Sequence, residues 1–296
     1  MLKIRLSSSL AMIIICTVMI AQLAGCSGDD EDANIAEMNI SNAPILPPNE
    51  SMMIDLSAFS DGESEIPAIP VLDSEEESSS EQPMAFSDQN FANAAMLIEE
   101  INGSVVSPLT FPAGLFNMAR EHQPTPMDDG SWLWSYSVTY DFIIVDAKLT
   151  GIKEDGQNYW SMKVSVENPI MPITDFEWYT GVCTEDDTSG SWQIFDIYTS
   201  GEHNPIARVD WSMDSGMERV DLTIENVDTR NELIGDILIC RSTPTASSMS
   251  FSDASDGSGW DIIWDVKTGA GSVTIPDYNN SEKSCWDANK QNVTCY

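Results

Sequence analysis

The sequence predicts a mainly β fold: an antiparallel meander that forms a bent sheet, a barrel or a sandwich, preceded by one amphipathic helix. From residue 132 onward, apolar residues alternate with polar ones at a period of two. Turn sequences rich in Asp, Gly and Ser separate the alternating segments. Between them no stretch has the pattern of a helical crossover, so we expect short hairpins and no parallel sheet.

The strand predictions follow the alternation directly. The clearest cases are residues 132–140, 160–166, 209–213, 220–224 and 260–266. Turns are expected at residues 154–156, 186–190, 214–216 and 268–271, where Gly follows acidic or small residues. Each strand therefore has one apolar face and one polar face.

A helix is expected just before the strands. Ser87 is a candidate N-cap, and apolar residues recur at helical spacing from Phe91 until Asn102-Gly103 ends the pattern. A second, shorter helix is expected from Pro112 to Arg120. Helix and strands together define a predicted domain over residues 88–296.

The N-terminus has the layout of an export signal. Lys3 and Arg5 precede an uncharged apolar run over residues 10–20, which is too short to span a bilayer. Leu23-Ala24-Gly25-Cys26 matches the lipobox at all four positions, so the chain resembles the bacterial lipoproteins. The resemblance implies that residues 1–25 are a signal peptide and that Cys26 is the lipidation site, carrying a diacylglycerol and a further acyl chain such as palmitate.

The same resemblance implies an outer membrane lipoprotein, exposed to the periplasm or on the cell surface. Ser27 stands where an inner-membrane retention signal would have Asp, and the acids from Asp29 to Asp32 resemble a surface-export tract. An acidic tether could equally serve solubility. The membrane is thus an expected partner, reached through the lipid anchor.

Residues 26–87 are expected to form a disordered acidic tether, because they contain many acids, scattered prolines and no Lys or Arg. Apolar residues at 45–46 and 52–54 could instead dock on a surface. The whole chain has 48 acidic and 13 basic residues and a net charge of -35. Such a charge repels nucleic acid, so a nucleic-acid partner is excluded.

Four cysteines remain after the signal peptide and Cys26. Cys285 and Cys295 enclose a short hairpin and are expected to form a disulfide, which leaves Cys183 with Cys240. Close C-x-x-C spacing is absent and there are only two histidines, so no metal site is predicted among these residues.

Indole side chains are concentrated on the predicted inward face. Trp132, Trp160, Trp178, Trp211 and Trp264 either line a cavity for a lipid or another apolar ligand, or fill the core. The filled core is the favoured interpretation. Quenching of indole fluorescence by a ligand would favour the cavity.

Other candidate sites are sparse. The acidic turns at 185–188 and 253–258 offer oxygen ligands that suit calcium, although neither has the spacing of a twelve-residue calcium loop, and no other cofactor is expected. No catalytic residues are assigned: His122 and His203 lie in loops, and no G-x-S-x-G elbow is present.

The sequence thus predicts a lipid-anchored, non-enzymatic protein that binds an unknown protein, glycan or apolar ligand or serves a structural role. The alternatives are a carrier of an apolar ligand and, more weakly, a hydrolase.

Overall fold

The structure is a computed structural model that describes residues 42–59, 86–140, 143–167, 172–197, 203–214, 216, 218–230, 233–276 and 278–295. One antiparallel sheet of fourteen strands contains every described strand, and hydrogen-bonded neighbours are consecutive in sequence from β1 to β14. The predicted meander is confirmed. The strands are β1 (Thr125–Pro126), β2 (Trp132–Tyr140), β3 (Ile143–Glu154), β4 (Gln157–Glu167), β5 (Ile173–Thr184), β6 (Ser189–Phe195), β7 (Pro205–Asp214), β8 (Arg219–Asn226), β9 (Ile237–Ser242), β10 (Ala246–Ser252), β11 (Gly259–Asp265), β12 (Gly271–Thr274), β13 (Ser284–Trp286) and β14 (Asn292–Val293).

One face of this sheet is buried from β2 to β13. Fourteen strands side by side would extend over about 65 Å if the sheet were flat. The helices that cover the buried face have 12 residues each, or about 18 Å of length. Two such helices, about 36 Å even end to end, are shorter than that width, which favours a curved sheet over a flat one.

The helical segment is longer than the sequence suggests. α1 (Asn90–Ile101) continues through one π turn (Asn102–Val106) into α2 (Ser107–Met118), and a 3-10 turn follows at Ala119–Glu121. α1 ends at Ile101, directly before Asn102-Gly103 as the sequence predicts, whereas α2 begins at Ser107 and not at Pro112. Pro108 lies in the first turn of α2, directly after the π turn, and Pro112 lies inside the helix.

α2 supplies the centre of the core. The ring of Phe116 contacts Trp160, Tyr179 and Trp192 on three consecutive strands, with centroid distances of 6.3, 6.4 and 5.2 Å. Edge-to-face rings of this kind add stability beyond the area that they bury. At the other end of the sheet, α1 contacts β12 and β13, where Phe91 meets Trp286 at 5.7 Å.

Tryptophan and glycine alternate across neighbouring strands. Trp132 pairs with Gly151, Gly151 with Trp160, Trp160 with Gly181, and Gly181 with Trp192, from β2 to β6. A Cβ atom on Gly151 would lie 2.6 Å from the indole of Trp160. Each glycine thus leaves space for the indole of the adjacent strand.

Residues 42–59 form a segment, here called the strap, that packs on the sheet and on α2. The structure differs here from the expected disordered tether: Ser51 and Met52 are 0% and 4% exposed, and two 3-10 turns lie at Asn49–Ser51 and Ser57–Phe59. Residues 26–41 and 60–85 of the expected tether lie outside the described residues. The prediction of disorder is wrong for residues 42–59, because a few apolar side chains within this acidic segment pack on the domain.

Candidate binding site at the strap

All five predicted ligand-lining tryptophans lie in the buried core. Their exposed fractions are 6% for Trp132, 2% for Trp160, 8% for Trp178, 3% for Trp211 and 3% for Trp264. Trp160 contacts Phe116 and Trp134, and Trp178 contacts Phe111. Helices and strap thus occupy the space in which a large ligand would lie.

Trp264 also borders a pocket that opens to solvent. This rim pocket lies between the strap and the ends of β8 to β11, where Leu222, Cys240 and Trp264 are among its lining residues. Its empty volume is about 470 Å³ when space open to bulk solvent is counted, and about 90 Å³ of it admits the centre of a water molecule. That volume suits one side chain or a short apolar group rather than a whole lipid.

The strap forms one wall of the rim pocket through Glu50, Met53, Ile54 and Asp55. Met53 is 47% exposed, so it presents apolar surface to solvent beside the opening. Its sulfur accepts a hydrogen bond from the Asn117 side-chain nitrogen at 3.0 Å, which connects the wall to α2. The Asn117 side-chain oxygen is buried and has no hydrogen-bond partner among the residues that the structure describes.

Polar groups of both signs surround the apolar floor. Glu50 and Asp55 come from the strap, and Arg241 comes from β9. Arg241 lies 3.3 Å from Asp221, a carboxylate that also contacts Arg219 at 2.6 Å. Ser242 and Ser247 share a hydrogen bond of 3.2 Å at the pocket wall. The pocket can therefore bury an apolar group while offering hydroxyls and charges at its edge.

The predicted disulfide between Cys285 and Cys295 is present, with a Cα–Cα distance of 5.3 Å. The expected pair of Cys183 and Cys240 is wrong, because both are free and buried. Cys183 is on β5 and Cys240 on β9, four strands apart, or about 19 Å along the sheet. A disulfide requires Cα atoms within about 7 Å.

Cys183 instead belongs to a buried polar cluster near the strap. Its thiol donates to Asp187 at 3.3 Å and accepts from the Trp160 indole at 3.3 Å, while Asn158 also donates to Asp187 at 3.3 Å. Burial raises the pKa of the Cys183 thiol to about 12 and raises the pKa of Asp187. Because the thiolate is the reactive form, Cys183 at neutral pH is a hydrogen-bonding core residue rather than a nucleophile.

Sequence reasoning did not find this cluster, although one signal was present. Asn158 is a polar residue in phase with the inward-facing Trp160, Met162 and Val164, and it is fully buried. Its side-chain oxygen has no partner within the described residues, and neither does the indole nitrogen of Trp211. A polar residue on an apolar face indicates such a cluster, but only the fold shows its partners.

The two histidines are both engaged with aromatic rings. His122 stacks on Tyr136 with centroids 4.9 Å apart. His203 lies between Phe176 and Phe195, each at 5.3 Å. These contacts give both rings a packing role.

The acidic turns proposed for calcium have local hydrogen bonds. Asp253 accepts from the Ser255 backbone at 2.7 Å, and Asp186 accepts from the Thr188 hydroxyl at 2.8 Å. Within the described ranges, no three acidic, histidine or cysteine side chains converge to hold a metal ion.

A second, polar groove lies beside the disulfide, with an empty volume of about 870 Å³ including open solvent. Asn90 makes the main hydrogen bonds beside this groove. Its side-chain nitrogen donates to the Cys285 backbone carbonyl at 2.8 Å, and its side-chain oxygen accepts from the Tyr278 hydroxyl at 2.8 Å. Its backbone N–H donates to Asn292 at 2.9 Å. These bonds attach α1 to the C-terminal hairpin, which gives the groove a structural role.

The predicted signal peptide and lipidation site lie outside the described residues. Among the helices that the structure does describe, none has the length and apolar character needed to cross a membrane. No protein-family model matches the chain, and comparison with curated proteins and with solved structures finds no significant match.

Proposed function

We propose that this protein is a lipid-anchored, exported, non-enzymatic binding protein that recognises its partner at the rim pocket. The observation that carries the proposal is that helices and strap fill the buried face of the sheet, whereas the apolar core reaches solvent between the strap and β8 to β11. A binding site is expected where apolar surface is accessible and polar groups lie at its edge. The anchor rests on the lipobox at Leu23-Ala24-Gly25-Cys26.

The size of the rim pocket favours a protein partner. The centre of a water molecule can move within about 90 Å³ of the pocket, which is room for one apolar side chain. Anchor residues of protein interfaces insert single side chains into pockets of this kind. The partner would contact the exposed Met53 and the carboxylates of Glu50 and Asp55. A strongly acidic chain also speeds association with basic partners.

Carriage of an apolar ligand is the second candidate, and Trp264 favours it. This indole is a core residue and also part of the pocket wall, so an apolar chain entering the pocket would meet it first. A ligand larger than one side chain would have to displace the strap. Quenching of fluorescence by added fatty acid, lost in Trp264→Phe, would favour the carrier over the protein-binding role.

Site-specific photocrosslinking in intact cells tests the pocket. A photoreactive residue at Met53 is expected to give a discrete cross-linked protein, whereas one at Ile144, exposed on β3, is not. Ser242→Trp should fill the pocket and abolish the product, because Ser242 faces the pocket beside Ser247. Equal cross-linking from both positions, or a product that survives Ser242→Trp, would rule out the rim pocket as the binding site.

The anchor is tested separately by labelling cells with an alkyne fatty acid. Label should enter the wild-type protein and Cys16→Ala but not Cys26→Ala. Label that persists in Cys26→Ala would refute lipidation at that residue without affecting the pocket.

A further inference from the structure

Side-chain contacts and hydrogen bonds to carbonyl groups of the strap hold it on the domain, as they would hold a bound peptide. In the described residues the strap makes no β-sheet pairing. Its backbone hydrogen bonds are local ones, from Ser51 to Pro48, from Met52 to Asn49 and from Phe59 to Leu56. The described strand pairings of the sheet involve β1 to β14 and no strap residue. The strap is thus a separate segment seated on the domain.

Three contacts along the strap define its seat. At one end, Pro44 lies against Gly151, where an added Cβ would be 3.0 Å from the proline ring. In the middle, the Ser51 hydroxyl accepts a hydrogen bond from the buried indole of Trp192 at 3.3 Å. At the other end, Phe59 contacts Phe91, Trp264 and Trp286 at centroid distances of 5.7, 5.1 and 6.5 Å.

Arg120 fixes the strap between Pro44 and Ser51. Its guanidinium donates to the Asn49 side chain at 2.6 Å, to the Leu46 carbonyl at 3.4 Å and to the Pro47 carbonyl. The same group lies over the Phe116 ring at 5.6 Å. One cation at the end of α2 thus binds three groups of the strap in a fixed geometry.

We propose that this seat is a peptide-binding groove that exchanges its occupant, so that the strap of one copy of the chain docks in the seat of another copy. The seat is complementary to this particular sequence: in register it offers a surface for the proline, a guanidinium for the carbonyls, an indole N–H donor for the serine hydroxyl and an aromatic slot for the phenylalanine. The 26 residues from 60 to 85 that join strap and helix can span about 90 Å when extended, which is enough to reach a neighbouring molecule. The inference concerns contacts between copies and does not rest on lipidation or on the identity of the rim pocket's partner, although the strap supplies one wall of that pocket.

The strap of the same copy and the strap of another copy compete for one seat, and the covalent link between strap and domain favours the strap of the same copy. A tethered segment acts at an effective concentration on the order of 1 mM, so the chain's own strap dominates in dilute solution. Exchange is therefore expected at high local concentration, or where the chain's own strap is weakened. Both conditions can be produced experimentally.

The first experiment weakens the strap and leaves the seat intact. Met52→Asp with Phe59→Asp in the full chain places two charges in apolar contacts. A fluorescent peptide of residues 42–59 should bind this variant at least tenfold more tightly than the wild-type chain, and a peptide with the same two substitutions should bind neither. Equal binding of both peptides, or no gain over wild type in a variant that keeps its near-UV circular dichroism, would overturn the proposal.

The second experiment tests exchange without weakening the core. The Met53 sulfur and Asn117 nitrogen are 3.0 Å apart, so cysteines at these two positions come within reach of a short bifunctional thiol reagent where a strap is seated. A copy with Met53→Cys mixed at high concentration with a copy carrying Asn117→Cys should be cross-linked between copies by that reagent. Mixing Ile144→Cys, on the exposed face of β3, with Asn117→Cys should not. If the two cysteines join only when both are in one chain, the strap does not exchange.

Discussion

Gly181 on β5 and Trp192 on β6 are register partners, and the indole ring occupies the position that a Cβ atom on Gly181 would take. Trp192 is 2% exposed and contacts Phe116 of α2. The glycine therefore allows the ring to lie flat against the neighbouring strand, where it can reach both the helix and the strap.

Gly181→Ala is expected to lower the free energy of unfolding by about 2–3 kcal/mol, because the added methyl group overpacks the indole. Gly114→Ala is the matched control: it lies inside α2 with nothing within 4 Å of an added Cβ. That change should raise stability by about 0.5–1 kcal/mol through helix propensity. Urea unfolding measures both; similar changes in the two variants would contradict the role given to Gly181.

Arg120→Met should release the strap, because it removes donors to the Leu46 and Pro47 carbonyls and to Asn49. We expect a loss of about 2–3 kcal/mol and faster protease cleavage within residues 42–59. Arg120→Lys keeps the charge but lacks the planar fork, so its effect should be intermediate. Cleavage rates equal to wild type in Arg120→Met would show that the strap is held by other contacts.

Cys240 should make stability depend on pH in the alkaline range. Burial raises its pKa to about 12, whereas an unfolded thiol titrates near about 8.5. The unfolded state therefore loses its proton first, and stability is complete below about pH 8.5 and falls as the pH rises toward 12. Between pH 8 and 10 the wild type should lose about 2 kcal/mol more than Cys240→Ala.

Urea unfolding at several pH values measures this effect. The slope of the unfolding free energy against pH is compared between the two proteins, because the alanine also leaves a small cavity that lowers the absolute stability. Cys240 in the native protein should also resist alkylation at pH 8 and react after unfolding. If the unfolding free energy changes with pH equally in the two proteins, the raised pKa of Cys240 is refuted.

Reducing the Cys285–Cys295 disulfide should lower stability by about 2–3 kcal/mol, the loop-closure effect expected for a separation of 10 residues. Cys285→Ser with Cys295→Ser should start at the lower stability and not respond to reductant. Cys183→Ala should respond as the wild type does, because Cys183 is free. Thermal unfolding with and without dithiothreitol distinguishes these outcomes.

Part of the candidate site was predictable. The alternation around Trp264 placed its side chain on the buried face, and the same reasoning placed Trp160 there. The rim pocket was not predictable, because its wall comes from Met53 and Ile54, more than 150 residues earlier in the chain. Those residues lie in a segment whose acidity predicts disorder, and only a complementary seat makes docking of the segment favourable.

The sequence by itself determined the features that depend on local patterns. A period of two predicts the strands, and a period of 3.6 predicts α1. Two cysteines on the arms of one hairpin predict the Cys285–Cys295 disulfide. The tertiary structure alone decided that Cys183 and Cys240 stay apart, that glycines stand opposite indoles, and that the strap is seated at Arg120. These features depend on which residues meet after fourteen strands have paired. Contacts over such separations are set by register and shape, to which short-range patterns contribute only indirectly.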